Sequence, residues 1–335
     1  MVPDFENGVS LGEMAEADVL ARIFPRLPES ASTLLGPGDD AAVIAAPDGR
    51  FVVTTDMMVE GPDFRQEWSS PQDIGYKIAA VNLADVAAMG AAPTALVVAL
   101  GAPAETDIVV LEGIADGLRQ ACEELAPGCG VVGGDLSSAP ALTLSVTAFG
   151  DLSGREPLTR SGAKPGDIVA VAGELGAAGI GLEMLFGAQA AEEIAEVVAS
   201  PLGSAQVRPK PPIAAGVSAA TVGATAAMDV SDGLVLDASR MAKASDISVV
   251  FDELGIAKCA AQIAIEALKH GFSDDEIVEH VLYSGESHAL LVTFPADQVV
   301  PMGFTPIGKV IAREAVLIYL GSRPLPIRGW NPFSY

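Results

Sequence analysis

Apolar and polar positions alternate along this chain with a period of two in some stretches and near 3.6 in others, and the switches lay out strands and helices in turn. Residues 14–27 read as an amphipathic helix, and Gly36-Pro37-Gly38-Asp39-Asp40 reads as a turn before the short apolar run 41–45. Residues 51–56 read as a strand ending in a polar cluster. Ser70-Pro71 opens a helix as an N-cap followed by a first-turn proline; it runs to about Met89 and stops at Gly90. A strand follows at 94–100, then a helix capped by Thr106 and ending near Pro127, then 130–134 leading to Asp135, then a strand at 141–149.

The polar, turn-rich stretch 150–164 marks a boundary, giving domains at 1–150 and 151–335. Beyond it come a strand at 167–172, a glycine-rich segment at 173–181 opening a helix, and a helix introduced by Pro209-Lys210-Pro211-Pro212. A strand at 225–230 leads to Ser231, read as the cap of the next helix, and later strands fall near 248–251, 289–294, 304–310 and 315–320. Strands and helices alternate in both halves, which predicts two α/β domains. Half of the residues are hydrophobic and only 5% aromatic, so the core is built from Ala, Val, Leu and Ile.

Charge narrows the partners. A net charge of −25 argues against nucleic acid and anionic membrane surfaces. Cys122, Cys129 and Cys259 fit neither a zinc pattern nor a disulfide framework, so a reducing cytoplasm is expected. No apolar run predicts a leader or a membrane span.

Five acidic clusters stand out: Gly38-Asp39-Asp40, Thr54-Thr55-Asp56, Asn82-Leu83-Ala84-Asp85, Gly133-Gly134-Asp135 and Asp229-Val230-Ser231-Asp232-Gly233. Four are placed in loops at the ends of apolar runs, where α/β proteins gather ligand groups. Carboxylate and hydroxyl oxygens suit Mg²⁺, and neighbouring glycines let backbone N–H groups approach phosphate. Each also has a plain reading, as a turn or a helix cap. Asp85 is different, because it lies inside an apolar helix where a carboxylate is costly unless paired or bound to metal. Residues 303–309 imitate a P-loop, but Val310 replaces the hydroxyl residue and a strand follows, so that reading is set aside. The glycines of 173–181 are read as packing, with a phosphate-approach loop as the alternative, and His270, His280 and His288 as exposed or structural.

In order along the chain, the acidic clusters, the stretch Lys77-x-x-Ala80-Val81-Asn82-Leu83-x-Asp85-x-Ala87-Ala88-Met89-Gly90-Ala91, and Leu158-Thr159-Arg160-Ser161-Gly162-Ala163-Lys164-Pro165-Gly166-Asp167 resemble the thiamine-monophosphate kinase family. That family sits within the aminoimidazole-ribonucleotide-synthetase-like ATP enzymes. The resemblance implies an N-terminal mixed-sheet domain and a C-terminal α/β domain, a homodimer, and ATP as co-substrate. It further implies transfer of phosphate from ATP to thiamine monophosphate with several Mg²⁺ ions. By the same resemblance Asp40, Thr54, Thr55, Asp56, Asp85, Asp135, Asp229 and Asp232 serve metal, while Gly134, Asp135, Arg160 and Ser231 contact ATP. Asp63, Glu286 and Trp330 fall at acceptor positions. No catalytic protein base is implied, because the acceptor phosphate is already mostly a dianion at pH 7; Asp85, Asp135 and Asp232 act through metal. Three departures fall on the acceptor side: Asp63 where the family often has His, Ser287-His288 in the segment 284–290, and Asn331-Pro332 before Phe333. Two alternatives stand beside the kinase reading: a superfamily paralogue acting on another acceptor, and a non-catalytic binding module.

Overall fold

The computed structural model describes residues 9–14, 16–35 and 43–330; Asp40 and the Asn331-Pro332-Phe333 segment lie outside them. The chain divides into two compact units, Met1–Val86 with Ala92–Ser153, and Ala87–Ala91 with Gly154–Tyr335.

The first unit begins with α1 (Glu16–Ile23), which continues as a short 3-10 turn at Phe24–Arg26 where Pro25 interrupts the α pattern. A small antiparallel pair, β1 (Thr33–Leu35) and β2 (Val43–Ile44), precedes β3 (Val52–Val59). Then come α2 (Pro71–Ala88), β4 (Ala92–Ala102), α3 (Ile108–Leu125), β5 (Gly130–Ser138) and β6 (Thr143–Asp151). Four strands form one mixed sheet in the order β3-β6-β4-β5, antiparallel except for the β4–β5 pair. Leu96, Leu144 and Val146 are fully buried in this sheet, and Ile78, Leu83, Ile108 and Leu118 of α2 and α3 are buried with them.

Helix α2 starts as its sequence predicts. Ser70 Oγ accepts from the Asp73 amide at 3.2 Å, and the Asp73 carboxylate takes the Ser70 amide at 3.0 Å, with Pro71 first in the helix. The start of α3 differs from expectation. Its cap is Asp107, whose carboxylate accepts the Val109 amide at 3.0 Å, not Thr106. Two of the acidic clusters also sit elsewhere than expected. Thr54, Thr55 and Asp56 lie in the middle of β3, because apolar Met57-Met58-Val59 carries the strand on; Asp135 likewise lies mid-strand in β5.

The second unit contains β7 (Ile168–Ala172), α4 (Ala177–Gly187), α5 (Ala191–Ala199), α6 (Pro201–Val207), α7 (Ile213–Thr221), β8 (Ala226–Val230), α8 (Leu234–Ser245) and β9 (Ile247–Phe251). It continues with α9 (Glu253–Lys269), α10 (Asp274–Tyr283), β10 (Ala289–Phe294), β11 (Phe304–Ala312), β12 (Ile318–Leu320) and β13 (Arg323–Pro324). Its seven-stranded mixed sheet runs β13-β12-β9-β11-β7-β10-β8, with only β12–β9 parallel. Every residue of β8 and β10 is buried, and their apolar runs match that burial. The false P-loop at 303–309 is mostly β11, as its apolar continuation requires. Ser231 does not cap α8; Gly233 does, at φ 118°, a backbone conformation that side chains rarely adopt. Among the described residues no helix is long and apolar enough to cross a membrane.

Candidate active site

In the first unit, strand alternation sorts the residues of β3. Thr54 and Asp56 are half-buried on the side where Met58 is buried, whereas Val53, Thr55 and Met57 are exposed on the other. Helix α2 meets the first set. Thr54 Oγ1 donates to Asp85 Oδ2 at 2.9 Å, and the Asp56 amide donates to Asn82 Oδ1 at 3.1 Å. Asn82 is fixed in turn by its own amide donating to the Ile78 carbonyl at 2.8 Å. Asp85 lies one helical turn below Asn82, so both reach the same strand. Asp85, expected to need a partner inside this apolar helix, is half-buried and accepts a hydroxyl donor.

Thr55 and Asp135 are not brought to that side. Thr55 Oγ1 donates to the Val146 carbonyl at 3.0 Å and accepts from Thr147 Oγ1 at 3.2 Å across the sheet. Asp135 pairs with Ala99 and, through Ala99, with Ser145 and Met57, the row of the open face. It is exposed and accepts from Ser137 Oγ at 3.1 Å. Gly134 packs so closely that a Cβ there would meet the Val98 carbonyl at 2.1 Å, so only glycine fits. Asp63 closes a turn: its carboxylate takes the Val59 amide at 2.8 Å, a structural use of the residue placed on the acceptor side.

In the second unit the predicted residues converge. Three successive carbonyls, from the last residue of β8 onward, each hold an amide from another segment. Val230 takes His288 at 2.9 Å, Ser231 takes Glu286 at 2.8 Å, and Asp232 takes Trp330 at 2.9 Å. Glycines make this stitching possible. A Cβ on Gly233 would meet the Tyr283 carbonyl at 2.6 Å, on Gly285 the Ser231 carbonyl at 2.5 Å, and on Gly329 the Asp232 carbonyl at 2.4 Å. Glu286 and His288 take left-handed backbone, φ 65° and 46°, as the price of this interlock. Arg160 is exposed on a segment pinned to β8 through Thr159, whose carbonyl accepts the Ala227 amide at 3.0 Å; the Arg160 carbonyl itself accepts Ser245 Oγ at 2.8 Å.

Two residues here went unflagged by sequence reasoning. Asp237 is fully buried; its carboxylate accepts the Asp232 amide at 2.9 Å. Arg240 reaches both Asp237 at 2.6 Å and the Asp232 carboxylate at 2.5 Å, so Asp232 is ion-paired rather than bare. Burial pushes the Asp237 carboxyl up to about 6, against the Asp232 amide and Arg240, with Asp229 adding to the rise. The Asp237-x-x-Arg240 spacing, one helical turn, was the available signal. His288, read as exposed or structural, is buried with Nδ1 3.7 Å from Asp229 Oδ2.

Thr54, Asp56 and Asp85 in the first unit, and Asp229 and Asp232 in the second, each present hard oxygens of the kind that suits Mg²⁺. Among the described residues no three carboxylate, histidine or cysteine side chains stand close enough to hold a metal ion alone. An ion held at either set would therefore complete its shell with phosphate oxygens and water, as Mg²⁺ commonly does.

Comparison with known proteins follows the same division. Residues 38–152 match the model for the AIR synthase related protein N-terminal domain, and residues 164–300 that for the C-terminal domain. The thiamine-monophosphate kinase of Mycobacterium tuberculosis is 41% identical over 97% of this chain and 93% of its own. The solved thiamine monophosphate kinase of Aquifex aeolicus superposes with TM-score 0.69 at 27% identity, covering 94% of this chain and 98% of that one. The structure of AaThiL complexed with AMPPCP and TMP gives TM-score 0.70 at 29% identity over 87% and 90% of the two chains. With a fold of two AIR-synthase-type domains and this identity along nearly its whole length, the chain belongs to the thiamine-monophosphate kinase family.

Proposed function

We propose that this chain phosphorylates thiamine monophosphate to thiamine diphosphate at the expense of ATP. The observation that carries the reading is the stitched loop. The consecutive carbonyls of Val230, Ser231 and Asp232 hold the amides of His288, Glu286 and Trp330, so residues assigned to nucleotide, metal and acceptor meet in one junction. A relative solved with an ATP analogue and TMP supports the same pair of substrates.

The chemistry asks for positioning and charge compensation. The acceptor phosphate, with a second pKa near 6, is already a nucleophile at neutral pH, so no side chain need take a proton. Its approach to the γ-phosphate is opposed by like charge. Bound Mg²⁺ ions would offset that repulsion and orient the phosphates for direct in-line transfer. Thr54, Asp56 and Asp85 of the first unit, and separately Asp229 and Asp232 of the second, would hold such ions; Asp135, on the open face of the sheet, is not in the first set. The Ser231 hydroxyl and the Arg160 guanidinium contact ATP, and a bidentate Arg–phosphate contact adds both energy and orientation. Glu286 offers a carboxylate and Trp330, 46% exposed, a ring face to the cationic thiazolium. Asp63 is left to its turn.

The enzyme is read as a cytoplasmic homodimer. Phe51, Val53 and Met57 are more than half exposed on the open face of the four-stranded sheet, and Phe51 stacks obliquely on Phe149 at 5.6 Å, an apolar surface fit for a second copy. Met57→Glu should convert dimer to monomer on size exclusion while the circular-dichroism spectrum holds; an unshifted dimer would put the interface elsewhere.

An acceptor panel tests the function: Mg·ATP with thiamine monophosphate, free thiamine or pyridoxine phosphate. The reading predicts product with thiamine monophosphate alone. Turnover only with another acceptor would favour the altered-pocket paralogue, for which the segment 284–288 is the specific motive.

A further inference from the structure

Trp330 is carried by a tail segment whose anchor lies outside the metal and nucleotide assignments. Arg328 lays its guanidinium over the Tyr283 ring, with Cζ 3.9 Å from the centroid. The same group donates from Nη2 to Glu279 Oε2 at 2.5 Å. Glu279 and Tyr283 are four residues apart on α10, so one helix face presents ring and carboxylate side by side. With His280 and Ser284 they line a surface pocket of about 310 Å³ that Arg328 borders.

Two residues further on, the Trp330 amide is bonded to the Asp232 carbonyl. Gly329 between them has no slack, since a Cβ would meet that carbonyl at 2.4 Å and Leu236 at 2.8 Å. Extended chain spans only about 3.3–3.6 Å per residue, so where Arg328 is held decides how Trp330 leaves the Asp232 bond. Arg328 and Glu279 are each more than half exposed, so this pair adds little to global stability. Its effect is local, and the guanidinium keeps its charge at any working pH.

We propose that Arg328 is a positioning residue for the acceptor: bracketed by Tyr283 and Glu279, it holds Trp330 in the orientation that stacks on the thiazolium. This rests on the reading of Trp330 as the acceptor's stacking partner. Trp68 and Trp330 are the two tryptophans, so Trp68→Phe leaves Trp330 as the single tryptophan, selectively excited at its red edge. In that background Arg328→Ala should raise KM for thiamine monophosphate about three- to tenfold, the range expected from an exposed cation–π contact plus an exposed ion pair. The kcat, the KM for ATP and the melting temperature should hold, and acrylamide should quench Trp330 more strongly. Arg328→Lys should restore part of the KM through Glu279. Unchanged acceptor KM and unchanged quenching would overturn the proposal. So would a joint loss of melting temperature and affinity for both substrates, which marks a merely structural role. Trp330→Ala with unchanged acceptor KM would also overturn it, while product formation by the parent protein would show the function itself intact. Were the parent to make no thiamine diphosphate, the function reading would fail, and the quenching difference would still decide the bracket.

Discussion

The two units hold their acidic residues in different ways. In the first, Thr54, Asp56 and Asp85 are half-buried between a strand and a helix, Thr54 bonded to Asp85 and the Asp56 amide to Asn82. In the second, Asp229 and Asp237 are buried, and Asp232, Asp237 and Arg240 form a continuous ion-paired network beneath a loop stitched by three carbonyls. The lesson is that similar Asp-rich motifs divide their labour. On the proposed reading both sets face ligands, and the second set also holds its own loop through Asp237 and Arg240.

That contrast can be broken by substitution. The largest effect is expected from Asp85→Asn, which should lower kcat by about 100-fold or more, since metal-borne charge compensation is worth several kcal/mol. The amide oxygen still accepts from Thr54, so the fall in kcat should far exceed any fall in melting temperature; a large drop in stability alone would show that Asp85 is structural after all. Asp237→Ala should do the reverse. It strips the Asp232 amide and Arg240 of a buried carboxylate and should cost about 2–4 kcal/mol in urea unfolding. Unaltered stability would erase the contrast between the units.

Asp237 also predicts a pH dependence. Its folded pKa of about 6 exceeds the unfolded 3.8, so the fold binds the proton more tightly. The stability this contributes is complete below about pH 4 and lost as the pH rises through 6. The full change is about 3 kcal/mol, roughly two units at 1.36 kcal/mol each. Asp237→Asn should lack it, so the stability gap between the two proteins should move against the wild type across that window; parallel curves would place the titration elsewhere. The smallest effect is expected from Trp330→Ala. Loss of a cation–π contact of about 0.5–2 kcal/mol should raise KM for thiamine monophosphate about 2- to 30-fold, with ATP unaffected.

Much of this was legible in the sequence because the signals are local. The Ser70-Pro71 start of α2 is a capping pattern, and a carboxylate at Asp85 inside an apolar helix announces a partner. The strands β7, β8, β10 and β11 read as short apolar runs, and the false P-loop betrayed itself through Val310. What escaped was set by geometry across distance. Nothing within Thr54-Thr55-Asp56 says that the strand continues through Met57, and only the continuing pleat sends Thr55 to the opposite face. The cap of α8 passed from Ser231 to Gly233 because the Ser231 and Asp232 carbonyls are taken by Glu286 and Trp330, residues more than 50 positions away. The role of Asp63 in its turn depends on the Val59 amide coming round to it.

The most direct single measurement is the fate of phosphorus label from γ-labelled ATP, incubated with Mg²⁺, thiamine monophosphate and the protein. Direct transfer predicts label in the terminal phosphate of thiamine diphosphate, none retained on protein, and none transferred by Asp85→Asn on the same timescale. Label released only as inorganic phosphate, or held on the protein as an intermediate, would contradict it.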